Sequence, residues 1–217
     1  MEQQSKAPSV TERKSLTGPA AWLAIPSLAL LWLAMLLLGG GGADRTLLLE
    51  LYAVERPWLV VAAMAFTFIG NGTTLVPVTL LAACWLMFHR RFRAALLLLV
   101  ATGTGRILVI LEKISLARHR PDEDLRLVEV NDLSFPSGHA GNSMMVFLCL
   151  ALLLPRDPSR RRTAVCAALL LTFLVGLSRP MLGVHWPTDV VGGWAFGAMW
   201  VLLVFAAADR FVPAARR

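Results

Sequence analysis

Long apolar runs alternate with short polar connections along the whole chain. Runs at 20–38, 73–88, 94–115, 139–154, 163–177 and 188–208 approach the ~20 apolar residues that a helix needs to cross a bilayer. This pattern predicts an all-α polytopic membrane protein with six transmembrane helices. Pro26, near the start of the first run, would kink that helix but leave it intact. The stretch 46–69 behaves differently. Glu50, Glu55 and Arg56 interrupt it, and its apolar part, 58–69, is only about half a span. An interfacial amphipathic helix, followed by a short helix that dips in without crossing, is expected between spans one and two. Gly39 to Gly42 read as a turn, because no strand precedes them and no Lys-Ser/Thr follows. Three regions result: a disordered cytoplasmic tail at 1–19, a six-span domain at 20–208 and a cytoplasmic tail at 209–217.

Composition agrees. Of 217 residues, 57% are hydrophobic and only 16% charged, whereas a soluble domain carries about a quarter charged residues. The first apolar run is too long for the ~7–15-residue core of a signal peptide, so it reads as a retained span. The net charge of +7 does not indicate nucleic acid, because the basic residues sit in short loops beside apolar runs. Loops 89–93 and 156–162 are arginine-dense, and with six spans and a cytoplasmic N-terminus both fall inside, as does the C-terminus. The same parity places the ends of spans three and five, and the starts of spans four and six, at the outer face. Cys84, Cys149 and Cys166 lie within apolar runs and show neither a disulfide framework nor a metal-ligand spacing.

The polar connections at that outer face hold unusual residues. Lys113 is followed by Arg120-Pro121; Pro136-Ser137-Gly138-His139 opens the fourth span; Ser178-Arg179 precedes His185 and Asp189. Ser137 suits a helix N-cap, and Gly138 lets a ligand approach free backbone N–H groups, which with the helix dipole favour anions. Pro187 suits a first helical position, which puts Asp189 in the first turn beside His185. A carboxylate on one imidazole nitrogen fixes the tautomer and frees the other nitrogen to attack. Arginine forks match phosphate oxygens. Each feature has a plain structural reading: Lys113 can snorkel, Arg120 and Arg179 can anchor at the interface, and a His–Asp pair can cap a helix. All of them on one face make a phosphate-cleaving site the better reading.

Taken together, Lys113-x6-Arg120-Pro121, Pro136-Ser137-Gly138-His139 and Ser178-Arg179-x5-His185-x3-Asp189 resemble the tripartite signature of the type 2 phosphatidic acid phosphatase superfamily. That group includes lipid phosphate phosphatases, undecaprenyl diphosphate phosphatases, lipid A phosphatases and vanadium haloperoxidases. The resemblance covers about Lys113 to Asp189, and every signature position is filled. It implies that His185 attacks phosphorus to form a phosphohistidine, that Asp189 orients it, and that His139 protonates the leaving oxygen. It also implies that Lys113, Arg120, Ser137, Gly138 and Arg179 hold the phosphoryl oxygens, without metal or cofactor. Asp122, Glu123 and Asp124 read as a solvated acidic loop.

The expected partner is a lipid phosphate at the outer (periplasmic) face of a bacterial cytoplasmic membrane. Undecaprenyl diphosphate is the first choice; phosphatidylglycerol phosphate, phosphatidic acid and lipid A phosphates follow. A lipid phosphotransferase using the same residues, and a non-catalytic phospholipid-binding protein or transporter, are the alternatives. Nucleic acid is not expected, and the sequence is silent on oligomeric state. Arg106, about mid-span, is expected to form a structural ion pair with Glu50, Glu55 or Glu112, with headgroup recognition as its second reading.

Overall fold

The computed structural model describes residues 20–211, so the expected tail at 1–19 and the residues from 212 onward lie outside the described residues. The described chain forms eight α-helices and one short 3-10 turn at Glu123–Leu125, with no strand. The helices are α1 (Ala20–Leu38), α2 (Gly42–Leu51), α3 (Pro57–Ile69), α4 (Gly72–Phe88), α5 (Phe92–Leu116), α6 (Gly138–Leu153), α7 (Pro158–Met181) and α8 (Pro187–Phe211).

Helices α1, α5, α7 and α8 are each long and apolar enough to cross a bilayer. Helices α3 and α4 pass the same test as a pair bent by 43° about Gly70-Asn71. Asn71 caps α4 by accepting the Thr73 N–H at 3.4 Å. Helix α6, at 16 residues, is shorter; it spans about 24 Å. Leu23, Leu37, Leu81, Ile114 and Leu170 are exposed on the outside of the bundle. Burying such side chains in hydrocarbon is what stabilises them, and this is an integral membrane protein.

Two boundaries differ from the sequence reading. Helix α7 begins at Pro158, so Arg160, Arg161 and Arg162 lie in its first turns and not in a loop. Asp157 caps that start, accepting the Arg160 N–H at 2.9 Å, while Pro158 supplies a preset first turn. At its far end α7 runs through Ser178-Arg179-Pro180, which the sequence placed in a polar turn. Burial explains the extension, because Ser178 is 0% and Arg179 3% exposed. The main core lies between α4, α5, α6 and α8, around Leu86, Leu98, Met145, Phe196 and Phe205. There α6 and α8 cross closely: a Cβ on Gly197 would come within 2.6 Å of the Gly141 carbonyl oxygen. Small residues at such crossings are the usual means of close helix packing in membranes.

Candidate active site

The C-terminal ends of α5 and α7 and the N-terminal ends of α6 and α8 meet at one end of the bundle. Lys113 is in the last turn of α5, Arg120 in the following loop, Ser137 the N-cap of α6, and Gly138 and His139 open its first turn. Arg179 is in the last turn of α7, His185 in the link to α8, and Asp189 in the first turn of α8. Thus the signature residues Lys113, Arg120, Ser137, Gly138, His139, Arg179, His185 and Asp189 all stand at helix ends or in the adjoining links at this pole. At the opposite pole Arg91 donates to the Leu153 and Leu154 carbonyls that end α6, and Arg93 to the Ala208 carbonyl near the end of α8.

The buried centre is His185 and Asp189. The His185 Nδ1 lies 3.3 Å from Asp189 Oδ2, which assigns the proton to Nδ1 and leaves the Nε2 lone pair free. Asp189 itself is fully enclosed. Its Oδ1 accepts from Arg118 Nη1 at 2.9 Å, and its Oδ2 accepts from Ser134 Oγ and, at 2.9 Å, from the Trp186 N–H. Burial pushes the His185 pKa well below its ordinary value, and the positive charges of Arg120, Lys113 and Arg179 push the same way. A neutral ring, one nitrogen held and the other unprotonated, is the form a nucleophile requires.

Around this pair stands a ring of cations. Lys113, 7% exposed, donates to the Leu133 and Ser134 carbonyls and pairs with Asp132 at 3.0 Å. Arg120 pairs with the same Asp132 carboxylate and donates to the Val184 carbonyl. Burial alone would raise the Asp132 carboxyl, but the charges and hydrogen bonds of Lys113 and Arg120 outweigh it and hold it below the ordinary range. Arg179 donates from Nη1 to Thr67 Oγ1 on α3, while its Nε is buried with no hydrogen-bond partner. The Ser137 hydroxyl is also buried without one. Buried donors left unsatisfied cost about 1–3 kcal/mol each, and both groups have a hydrogen free to donate. A polar cavity of about 190 Å³ opens here, lined by Lys113, Asp132, Gly138 and His139 among others. Among the described residues no three His, Cys, Asp or Glu side chains are grouped to hold a metal ion.

Four participants escaped the sequence reading: Arg118, Ser134, Asp132 and Asp44. Arg118 donates to Asp189 and to the Met35 and Leu36 carbonyls ending α1, and its guanidinium lies 4.3 Å over the Phe135 ring. Gly39 makes room for it, since a Cβ there would collide with the Arg118 guanidinium. Asp44 of α2 accepts from the Thr188 N–H at 3.1 Å and from its hydroxyl, capping α8. Only the proximity of Arg118 to Arg120 in sequence could have hinted at these roles. The expected ion pair of Arg106 with Glu50, Glu55 or Glu112 is not formed: among the described residues Arg106 has no ion-pair partner. Arg106 lines the polar cavity.

Comparison with known proteins bears on this site. Residues 94–213 match the PAP2 superfamily. Phosphatidylglycerophosphatase B of Bacillus subtilis is 32% identical over 166 residues, covering 75% of this chain and 81% of that protein. Decaprenylphosphoryl-5-phosphoribose phosphatase of Mycobacterium tuberculosis is 30% identical over 149 residues, 67% of this chain and 78% of that one. The crystal structure of a transmembrane PAP2 type phosphatidylglycerolphosphate phosphatase from Bacillus subtilis superposes with a TM-score of 0.79 at 30% identity. It covers 89% of this chain and 99% of that one.

Proposed function

Since this chain belongs to the PAP2 superfamily, we propose that it is a lipid phosphatase that removes a terminal phosphate through a phosphohistidine on His185. What supports this most is the buried His185–Asp189 pair facing a ring of donors, two of which, Ser137 Oγ and Arg179 Nε, lack partners. The phosphate replaces the Asp132 carboxylate on Lys113 and Arg120, and its remaining oxygens take the Ser137 hydroxyl, the Gly138 N–H and Arg179. Charge on the equatorial oxygens is thereby held in place, which is where most of the catalysis of phosphoryl transfer arises.

The Nε2 lone pair of His185 attacks phosphorus as the bond to the leaving oxygen breaks. His139 gives its proton to that oxygen. Water then attacks the phosphohistidine, His139 takes the water proton, and the P–N bond breaks to release phosphate. The Nδ1 proton stays between His185 and Asp189 throughout, so Asp189 stabilises the charge that forms on the ring.

The substrate is a lipid phosphomonoester or diphosphate. Undecaprenyl diphosphate is the reading favoured by the sequence; similarity to a phosphatidylglycerophosphatase moves phosphatidylglycerol phosphate to its side. We take the bundle as six crossings, α1, α4 with α3 as its bent outer extension, α5, α6, α7 and α8, within one membrane domain at 20–208. The arginine-clamped pole then faces the bacterial cytoplasm, and the site opens at the periplasmic face of the inner membrane.

The test is phosphate release in detergent with EDTA from undecaprenyl diphosphate, phosphatidylglycerol phosphate, phosphatidic acid and a lipid A phosphate. Wild type releases phosphate from at least one, while His139→Ala and His185→Ala reduce release by about 10³-fold or more. Retained turnover in His185→Ala, or no release from any lipid by wild type, rejects the phosphatase.

A further inference from the structure

Arg106 is an exposed charged residue in the apolar middle stretch of α5, where an ionisable group is costly and marks function when no partner is present. It sits seven residues before Lys113, two turns and about 10 Å along the same helix face. Its guanidinium reaches the start of α4, where a Cβ on Gly72 would lie 2.8 Å from both terminal nitrogens. No described residue pairs with it. Asn142, one turn into α6 beyond His139, has a side-chain oxygen buried without a partner.

Two cavities meet at these residues. The polar one, about 190 Å³, holds Lys113 and His139. The other, about 170 Å³, is apolar and runs between α4, α5 and α6, lined by Leu75, Thr79, Leu99 and Val146. Arg106 and Asn142 line both. An order therefore runs from the apolar groove, to the unpaired arginine and the amide, to Lys113 and His139. A lipid whose cleaved phosphate sits at the ring and whose tail fills the groove places whatever joins them against Arg106.

We propose that Arg106, with Asn142, binds a second phosphate of the substrate, the one between the lipid tail and the phosphate that is cleaved. This deepens the phosphatase reading and rests on it. A diphosphate supplies that second anion directly; a phosphodiester joined to the terminal phosphate by a short polyol supplies the same chemistry. A lipid carrying a single phosphate leaves Arg106 without an anion. The guanidinium fork suits a phosphate bidentately, and the Asn142 amide, turned about its last bond, donates from its NH2 to the same phosphate. Arg106 is thus a specificity residue that favours lipids with two phosphates in line.

The test is kcat/KM for wild type, Arg106→Gln and Arg106→Lys on undecaprenyl diphosphate, phosphatidylglycerol phosphate and phosphatidic acid. In Arg106→Gln the ratio of a two-phosphate lipid over phosphatidic acid falls at least tenfold, and Arg106→Lys recovers a large part of it. Loss with undecaprenyl diphosphate alone identifies a diphosphate; loss with phosphatidylglycerol phosphate alone identifies a phosphodiester. An unchanged ratio for both two-phosphate lipids overturns the proposal. A binding arm is independent of turnover: on a His185→Ala background, Arg106→Gln weakens affinity for at least one of the two-phosphate lipids relative to phosphatidic acid by the same tenfold. If wild type cleaves no lipid, the phosphatase reading fails, and this binding ratio still decides the role of Arg106.

Discussion

Asp189 shows how much chemistry one carboxylate draws together. Its two oxygens accept from Arg118, Ser134, the Trp186 N–H and His185, at full burial. Arg118 also ties the end of α1 to this carboxylate, so it acts on His185 through Asp189 and is a positioning residue. Arg118→Ala is expected to lower kcat by about 10²-fold, the scale of a misplaced reacting group. KM for the lipid should change less than threefold. A rise in KM with kcat intact would instead put Arg118 on the substrate. The depressed pKa of His185 makes a second prediction. A ring whose folded pKa lies below the free value of about 6.5 stays neutral as pH falls through that value, while the unfolded ring takes a proton. Folding stability contributed at this position is therefore complete above pH ~6.5 and declines as pH drops below it. ¹⁵N-histidine NMR, with His185→Asn to assign the signal, should show the ring neutral at pH 6 in the substrate-free protein. A midpoint at 6.5 or higher would contradict the geometry.

At the scale of elements, most of the layout was legible because apolar runs of near-bilayer length leave few alternatives. The runs at 20–38, 73–88, 94–115 and 188–208 match α1, α4, α5 and α8 to within a few residues. The extended ends of α7 were not legible, because Arg160 to Arg162 and Ser178-Arg179 are polar, and only capping by Asp157 and burial against α3 show that they are helical. The half-length of 58–69 pointed to a separate short helix, and α3 is one, bent by 43° from α4. The glycines of α6 and α8 look unremarkable in sequence yet set the distance between the helices that carry His139 and Asp189. Gly197→Leu must push the Gly141 carbonyl away. Overpacking of this kind costs about 1–3 kcal/mol. The expected result is a lower thermal transition in detergent together with loss of phosphate release, since both site helices shift. An unchanged transition would show that this crossing is loose.

For the whole molecule, the sequence located the signature residues but not what holds them. Lys113, Arg120, Arg179, His139, His185 and Asp189 were identifiable because their types and spacings are rare in an apolar chain. Arg118, Ser134 and Asp132 were not, since an arginine, a serine and an aspartate in a polar loop look like any solvated residues until the fold closes on them. The carboxylate of Asp132 bridges Lys113 and Arg120. Helix ends from α5, α6, α7 and α8 deliver these groups to one pole, and the claim that they surround a single phosphorus atom is open to direct observation. An experimental structure of the protein bound to orthovanadate, whose trigonal bipyramid imitates phosphorus in transfer, should show vanadium bonded to His185 Nε2. Its equatorial oxygens should lie on Arg120, Arg179, Ser137 and the Gly138 N–H, with His139 beyond the opposite apex. Vanadium bound away from His185, or with His139 out of reach of it, would contradict the account.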